Sequence, residues 1–587
     1  MFSTDWNATP MMLRTWTSVA AATLALSLPL MAPRVAEACG GTFCDTGPTA
    51  MPVDQTGENI LFYLGPDFVE AHIQIQYNPD TPAEKFAWVI PVLEVPEFEV
   101  GTQRLFDSML AGSVPSYGLQ QQADFCGDDG LQSSGGDAGA GDESGTGAPN
   151  DGGENGGPNV VLKKTVGAFE IAVLEGGTVE GVMQWLGDNG YQQDPNSEPI
   201  LAKYLEDGFL FTALKLANDA TVGEIHPIVI RYPGQEPCVP LKLTAIAAEE
   251  DMEVRVFFLD ATRIVPVNYR HVLVNPLKLD WFNTAANYKE VISMAVDAQK
   301  ADGNAFVTEY AGPSNVINTF SILDPSWDSD PIAALGTSPV GAIEILESQG
   351  LLECDAEWDT DCTYIHPLIR SIVAEYIPVP NGMVPVDFYD DLAANVDLID
   401  IAAWDALGFA TKMNERIIDP AKNAVALVEN NPYLTRMYTT ISPAEMNADP
   451  IFRRNSTLSD VANIQFATQT AHCDGSNTMV LPDGREVYFP AGADLVWPDF
   501  GDEMPWEEDI DQANMADDAP LISLVDNTTK IDDLLSQYNQ QRKDEVDALE
   551  DDVDIAGCNV GNASLAGGLL FGFATLGMFG LIRRRRS

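Results

Sequence analysis

The chain has 587 residues, of which 88 are Asp or Glu and 31 Lys or Arg, a formal net charge of -57 at pH 7. Such a field repels nucleic acid and anionic lipid, so both drop out as partners of the body. An apolar fraction of 45% is enough for a large core, spread over about two to four folded units, and acidity of this kind reads as solvation before it reads as a cation-binding device.

The amino end has the form of a secretory signal. Residues 12–31, "MLRTWTSVAAATLALSLPLM", place Arg14 before an apolar run from Ser18 to Met31, and Ala36-x-Ala38 follows as a small-residue cleavage site. The expected signal peptide is residues 1–38, cut between Ala38 and Cys39. A lipoprotein signal also leaves a cysteine first, but Glu37 beside it and the lack of a leucine three residues before it favour ordinary cleavage. Export makes disulfides available to the eight cysteines. Cys354 and Cys362, which flank "DAEWDTD", are the best local pair, and Cys39 with Cys44 is the next. Pairing Cys126 with Cys238 is a weaker assignment, and Cys473 then lacks a partner if Cys558 is used otherwise. A zinc alternative of Cys354, Cys362 and His366 matches no common zinc-site spacing.

Residues 39–312 read as a strand-rich α+β domain. "NILFYL", "EAHIQIQY", "KFAWVIPVLE", "GAFEIAVLE", "FLFTALKL", "HPIVIRYP", "PLKLTAIA" and "MEVRVFFL" are short apolar or alternating runs punctuated by Pro and Gly. "TVEGVMQWLGDNG" and "NYKEVISMAVDAQKADG" carry helical spacing and stop at glycines. Residues 127–158 are almost all Gly, Asp, Ser, Asn and Glu, and bury too little apolar surface to offset ordering, so a disordered insertion is expected there. Residues 313–498 turn mostly helical, closed by a hairpin in "TMVLPDGREVYFP" with its turn at Pro482-Asp483-Gly484. Residues 499–556 are acidic and thin in apolar side chains. They read as a stalk whose second part forms one exposed helix.

Residues 557–587 are the C-terminal segment. Ala563–Ile582 holds 20 residues without a charge. At about 1.5 Å per residue it spans roughly 30 Å, the depth of a bilayer's hydrocarbon. Arg583, Arg584, Arg585 and Arg586 follow and serve as a cytoplasmic retention signal, leaving the acidic body outside. The expected fold class is therefore α+β: a strand-rich N-terminal domain with interleaved helices, a mostly helical second unit and one C-terminal transmembrane helix.

Gly557-Cys558, a glycine-rich apolar helix and an arginine cluster together resemble the Myxo-type C-terminal sorting signals. The resemblance implies that Cys558 is where the tail is removed and an anchor attached, with Ala563–Ile582 as a transient span. A permanent single-pass anchor is the alternative. In the body, "ACGGTFCDTGPTAMPVDQTGENILF", "FAWVIPV", "AFVTEYAGP" and "NPYLTRMYTTISPAEMNADPIF" resemble an exported bacterial family known as domain of unknown function 2330, over most of residues 38–455. That resemblance implies secretion and no known activity, cofactor or catalytic residue.

Catalytic constellations are sparse. There is no G-x-S-x-G, H-E-x-x-H or phosphate loop. His72, His226, His271, His366 and His472 are scattered, and His226 and His366 precede prolines where packing or capping is the expected role. His472-Cys473 invites a thiol-nucleophile reading, but sequence neighbours rarely meet in reactive geometry and exported thiols oxidise. No catalytic residue and no metal ligand is assigned. No cofactor is expected beyond weak Ca²⁺ binding by the stalk. The reading is an exported, surface-anchored, non-enzymatic protein, structural, adhesive or ligand-binding. Its expected partners are the membrane through the C-terminal helix, the sorting and processing machinery, and an envelope component. Alternatives are an exported hydrolase using a carboxylate pair, or a Ca²⁺-dependent surface module.

Overall fold

The computed structural model describes residues 57–76, 87–124, 158–191, 197–217, 224–237, 239–245, 248, 250–355 and 360–557. Alternation in "GENILFYL" and "FVEAHIQIQ" draws β1 (Gly57–Leu64) and β2 (Phe68–Gln76) into an antiparallel pair that buries Ile60, Phe62, Val69, Ala71 and Ile73 on one side. Strands β3 (Ala87–Val92) and β4 (Glu97–Val100) follow, then helix α1 (Gln103–Ser113) and strand β5 (Ser116–Ala123). The hairpin β6 (Asn159–Val166) and β7 (Phe169–Glu175) leads into α2 (Val179–Asp188), where Thr178 caps the helix by accepting from the Gly181 N–H at 3.1 Å. Next come α3 (Glu198–Glu206), β8 (Leu210–Leu216), β9 (Ile228–Pro233), α4 (Leu241–Thr244) and β10 (Met252–Asp260). The run "PLKLTAIA", expected as a strand, contains α4 instead: Pro240 stands at its N-cap position and Leu, Lys and Thr make the single turn.

Strands β11 (Ile264–Pro266), β12 (Arg270–Val274) and β13 (Ala305–Pro313) bracket helix α5 (Tyr288–Val296). A helical stretch follows: α6 (Asp330–Ala333), α7 (Ala342–Ser348), the small ladder β14 (Leu352–Glu353) and β15 (Thr363–Tyr364), α8 (Ile369–Tyr376), α9 (Pro385–Tyr389), α10 (Ala406–Met413) and α11 (Asp419–Asn430). The chain then returns to strands β16 (Tyr433–Ile441), β17 (Phe452–Arg454), β18 (Ile464–Ala471), β19 (Asn477–Val480), β20 (Glu486–Phe489), β21 (Glu507–Gln512) and β22 (Ile522–Asp526), and ends in α12 (Thr528–Gly557).

A ten-stranded mixed sheet in the order β22-β21-β12-β13-β16-β10-β1-β2-β9-β4 organises the molecule. One side packs on a second sheet, β3-β8-β7-β6, through Phe62, Phe258, Trp88, Phe169 and their neighbours, and helices α2 to α4 cover that sheet's far side. The other side of the large sheet carries α1 and the helices α6 to α11, around Phe257, Leu259, Ile369, Phe409 and Leu434. The chain is thus mixed α and β with a strand-rich N-terminal region.

The structure corrects the expected boundary at residues 312 and 313. β13 runs across it, and β16 lies between β13 and β10, so the helical stretch is an excursion between two hydrogen-bonded neighbours of one sheet. The stalk expected over residues 499–556 also begins later. The acidic "EEDIDQ" of β21 pairs with β12, and β22 pairs with β21, because backbone groups make a ladder whatever the side chains carry. Only α12 remains stalk-like, and its first turns still bury Ile531 and Leu535. Among the described residues no helix is long and apolar enough to cross a membrane. Ala563–Ile582 and the greater part of the 127–158 insertion lie outside them.

Cys354 and Cys362 are joined in a disulfide beside β14 and β15, with Cα atoms 4.4 Å apart. The bridge occupies both sulfurs and closes the zinc alternative, while His366 Nδ1 accepts from the Leu368 N–H at 3.3 Å. Replacing Cys354 by Ser is expected to cost about 2–3 kcal/mol through the loop entropy returned to the unfolded chain, read as a shift in the urea midpoint at constant slope.

Candidate functional site

At one end of the chain's fold, β5 joins β18, β19 and β20 in a four-stranded sheet. β5 and β18 run parallel in register from Ser116 opposite Ile464 to Ala123 opposite Ala471. β19 and β20 form the hairpin expected from "TMVLPDGREVYFP"; Gly484 takes φ +90 in its turn, a conformation open to glycine. Period-two alternation splits the sheet cleanly. Leu119, Ala467, Met479, Val487 and Phe489 face inward onto Trp281, Leu277, Ile531 and Leu535.

The outward side is uncharged over most of its area. β5 turns out Ser116, Gln120 and Gln122; β18 turns out Phe466, Thr468 and Thr470; β19 adds Thr478. Gln122 Nε2 donates to Thr470 Oγ1 at 2.8 Å. The Phe466 ring, half exposed, lies across Gly118: a Cβ at Gly118 would stand 2.3 Å from Phe466 Cε1. The missing side chain therefore lets the ring rest against the backbone of the neighbouring strand.

His472 closes one end of this side. Its Nδ1 is 2.7 Å from Asp124 Oδ2 and its Nε2 is 2.7 Å from Thr478 Oγ1. A carboxylate only accepts, so in the neutral ring Nδ1 donates to Asp124 and Nε2 accepts from the Thr478 hydroxyl. The order acid, imidazole, hydroxyl is that of an activated nucleophile. Its setting argues otherwise. Thr478 lies within a strand flanked by β18 and β20, so the backbone N–H groups beside it are engaged in ladders and offer no oxyanion hole. The thiol-nucleophile reading of His472-Cys473 is closed as well, since Cys473 is disulfide-bonded.

The other histidines are structural. His226 Nε2 accepts from the Ala168 N–H at 3.1 Å while Nδ1 donates to the Pro227 carbonyl at 2.7 Å. His271 donates from Nε2 to the Pro266 carbonyl at 2.9 Å. His72 Nε2 meets Glu70 Oε1 at 2.8 Å, and Glu70 also accepts from Arg231 at 2.6 Å. Burial pushes the Glu70 carboxyl up, but the hydrogen bond and charge of His72 and the charge of Arg231 outweigh it and hold the group down at about 2. This buried acid–histidine pair sits within the large sheet, at 8% and 4% exposure, away from any described hollow.

An open hollow of about 440 Å³ lies next to the Cys354–Cys362 bridge, lined by Glu347, Glu353, Asp355 and Asp390. Glu347 already accepts from the Cys354 N–H at 3.0 Å. Among the described residues no group of three or more His, Cys, Asp or Glu side chains is placed to hold a metal ion. Asp449 of the "NADPIF" stretch is spent on the fold, accepting from the Tyr204 hydroxyl at 2.8 Å and from the Lys242 N–H at 3.0 Å.

Of the residues singled out at the ends, Ala38, Cys39, Cys44, Cys558 and Arg583 to Arg586 lie outside the described residues, and Gly557 is the last residue of α12. The outward side of the small sheet was not foreseen. "IQFATQTA" does alternate, but its parallel partner β5 lies some 350 residues earlier, and no local pattern announces that pairing.

Residues 33–326 match the model of a family described as an uncharacterized protein conserved in bacteria. No curated protein and no solved structure matches. The matched segment ends before β16, the strand that fills the gap between β13 and β10.

Proposed function

The chain belongs to the DUF2330 family, and from that premise we propose an exported bacterial protein, held at the cell surface by its C-terminal tail, that acts by surface contact and not by chemistry in an enclosed site. The observation that carries the reading is α12. A single helix of 30 residues leaves the body and delivers the chain to Gly557, one residue before Cys558. At about 1.5 Å per residue it extends roughly 45 Å, a spacer between a docked first half and the tail. The signal-like amino end, the uncharged stretch Ala563–Ile582 and the four arginines support the same topology from the sequence. Among the described residues an exported hydrolase draws support from the order Asp124, His472, Thr478, against which the strand setting of Thr478 counts, and from the acids Glu347, Glu353, Asp355 and Asp390 around the open hollow, where Glu347 is already engaged by the Cys354 N–H.

Mass spectrometry of the mature protein from the envelope tests the proposal. The expected product starts at Cys39 and ends at a modified Cys558. The Cys558→Ser variant is expected to keep its tail and remain in the inner membrane. Normal display of that variant would leave a permanent anchor as the only membrane attachment. Recovery of the full chain from the cytosol with both ends intact would end the proposal altogether.

A further inference from the structure

We propose that the outward side of the β5-β18-β19-β20 sheet binds a neutral glycan chain; this rests on the reading of the body as a displayed contact protein and names its ligand class. Three features of the surface point there. The first is charge. In a chain of net charge -57, β5, β18 and β19 turn out hydroxyls, amides and apolar groups, and Glu486 on the edge strand β20 is the ionised side chain among the outward positions of the four strands. A cation would be drawn to the acidic surface elsewhere, and an anion would be repelled by it. A side whose acids stand at its margins, Glu486 on the edge strand and Asp124 bonded to His472, suits an uncharged partner over the area between them.

The second feature is the kind of polar group. Gln120, Gln122, Thr468 and Thr470 can each donate and accept, as sugar hydroxyls do. They stand on strands about 4.8 Å apart, at steps of about 6.6 Å along each strand, giving a flat array in place of a pocket. Part of it is already ordered: Gln122 is bonded to Thr470, and His472 is held between Asp124 and Thr478. Groups fixed in advance lose little freedom when a ligand arrives.

The third feature is Phe466. Gly118 lets its ring lie across the sheet, and the ring is 50% exposed. An aromatic plate beside hydrogen-bonding groups is the surface a pyranose ring requires, since a sugar presents C–H groups on its faces and hydroxyls around its rim. A peptide adding to the β5 edge would use backbone groups in place of this ring, and a second copy of this chain would cover the ring but leave the hydroxyls and amides around it unmatched.

Affinity electrophoresis of the mature protein through gels holding hydroxyethylcellulose, galactomannan or dextran provides the test. At least one of these uncharged polysaccharides is expected to retard it. Phe466→Ala is expected to weaken that binding about tenfold, Thr470→Val to weaken it also, and Leu398→Ala, at an exposed position on the helical layer, to leave it unchanged. Should Phe466→Ala unfold, Phe466→Leu keeps an apolar contact on Gly118 without the plate and is expected to show the same loss with an unaltered melting temperature. Retardation by none of the three glycans, equal retardation of wild type and both Phe466 variants, or a glycan-free dimer that Phe466→Ala dissociates would each overturn the proposal. Display at the cell surface is read separately by the Cys558→Ser experiment, so failure of one reading is not mistaken for failure of the other.

Discussion

Glu309→Ala is expected to destabilise the protein by about 3–5 kcal/mol, because it strands a buried cation. Glu309 and Arg436 are 5% and 3% exposed, and Arg436 Nε donates to Glu309 Oε2. The register of β13 on β16 shifts between Thr308 and Tyr310, so Glu309 is the extra residue of a bulge, and that bulge turns its carboxylate toward Arg436. The Tyr288 hydroxyl donates to the other carboxylate oxygen at 2.8 Å, and burial together with the Glu309 charge pushes its phenol well above the usual range. Arg436 reaches Ser113 Oγ at 3.3 Å and lies over the Phe257 ring. Removing the carboxylate takes this acceptor from the Tyr288 phenol and leaves the buried guanidinium with Ser113 Oγ but without its counter-charge. Removing both charges should be far milder: the pair Glu309→Leu and Arg436→Met is expected to recover most of the loss, since apolar side chains need no partner. Urea unfolding of the two single variants and the double variant reads the coupling. Additive losses would show that the pair does not act as a unit.

That ion pair also explains what sequence could and could not show. Strands β1, β2, β3, β7, β8, β9 and β10 were legible because each has an alternating or continuous apolar run bounded by turn residues. Helices α2 and α5 were legible from their helical spacing and the glycines that follow them, and α5 buries Val291, Ile292, Ala295 and Val296. Pairing over long range was not legible. β16 reads "YLTRMYTTI", with an arginine and threonines in a strand buried on both sides; the arginine is tolerable only because Glu309, far earlier in the chain, is bent to meet it. β22, the edge strand, and β21 beside it hid inside an acidic stretch for a related reason: the backbone makes their ladder, and few of their side chains are buried. The small sheet's outward side escaped because its members come from two distant segments and none of its residue types is rare. Cys354 with Cys362 was legible because a short loop between two cysteines needs no knowledge of the fold.

Stability against pH should show a maximum near neutrality whose alkaline limb belongs to Glu58. Burial pushes this carboxyl up to about 7, and its Oε2 has no hydrogen-bond partner among the described residues. A group whose folded value lies above its unfolded value is harmless in acid. Its penalty grows as pH rises from about 4.5 and is complete above 7, because the unfolded chain then releases a proton that the folded chain holds. Three histidines work in the opposite sense. Burial pushes His226 and His271 down to about 4; for His366, burial and then the nearby Arg104 charge push it down to about 3. Their stability is intact above about 6.5 and drains away as pH falls through 4, since the unfolded chain binds protons that the folded rings refuse. Between pH 4.5 and 6.5 the three rings outweigh Glu58, so the contribution of these four groups rises with pH; between 6.5 and 7 Glu58 alone of the four still titrates and the contribution falls. Glu58→Gln keeps the volume and removes the proton-linked loss. At pH 8 it is expected to be more stable than wild type by up to roughly 3 kcal/mol, since each pH unit between the folded and unfolded values is worth about 1.4 kcal/mol, and at pH 4 to be indistinguishable from it. Urea midpoints from pH 4 to 9 on both proteins test this. Parallel curves across the whole range would mean that Glu58 is ionised in the fold and compensated, and that the alkaline limb has another origin.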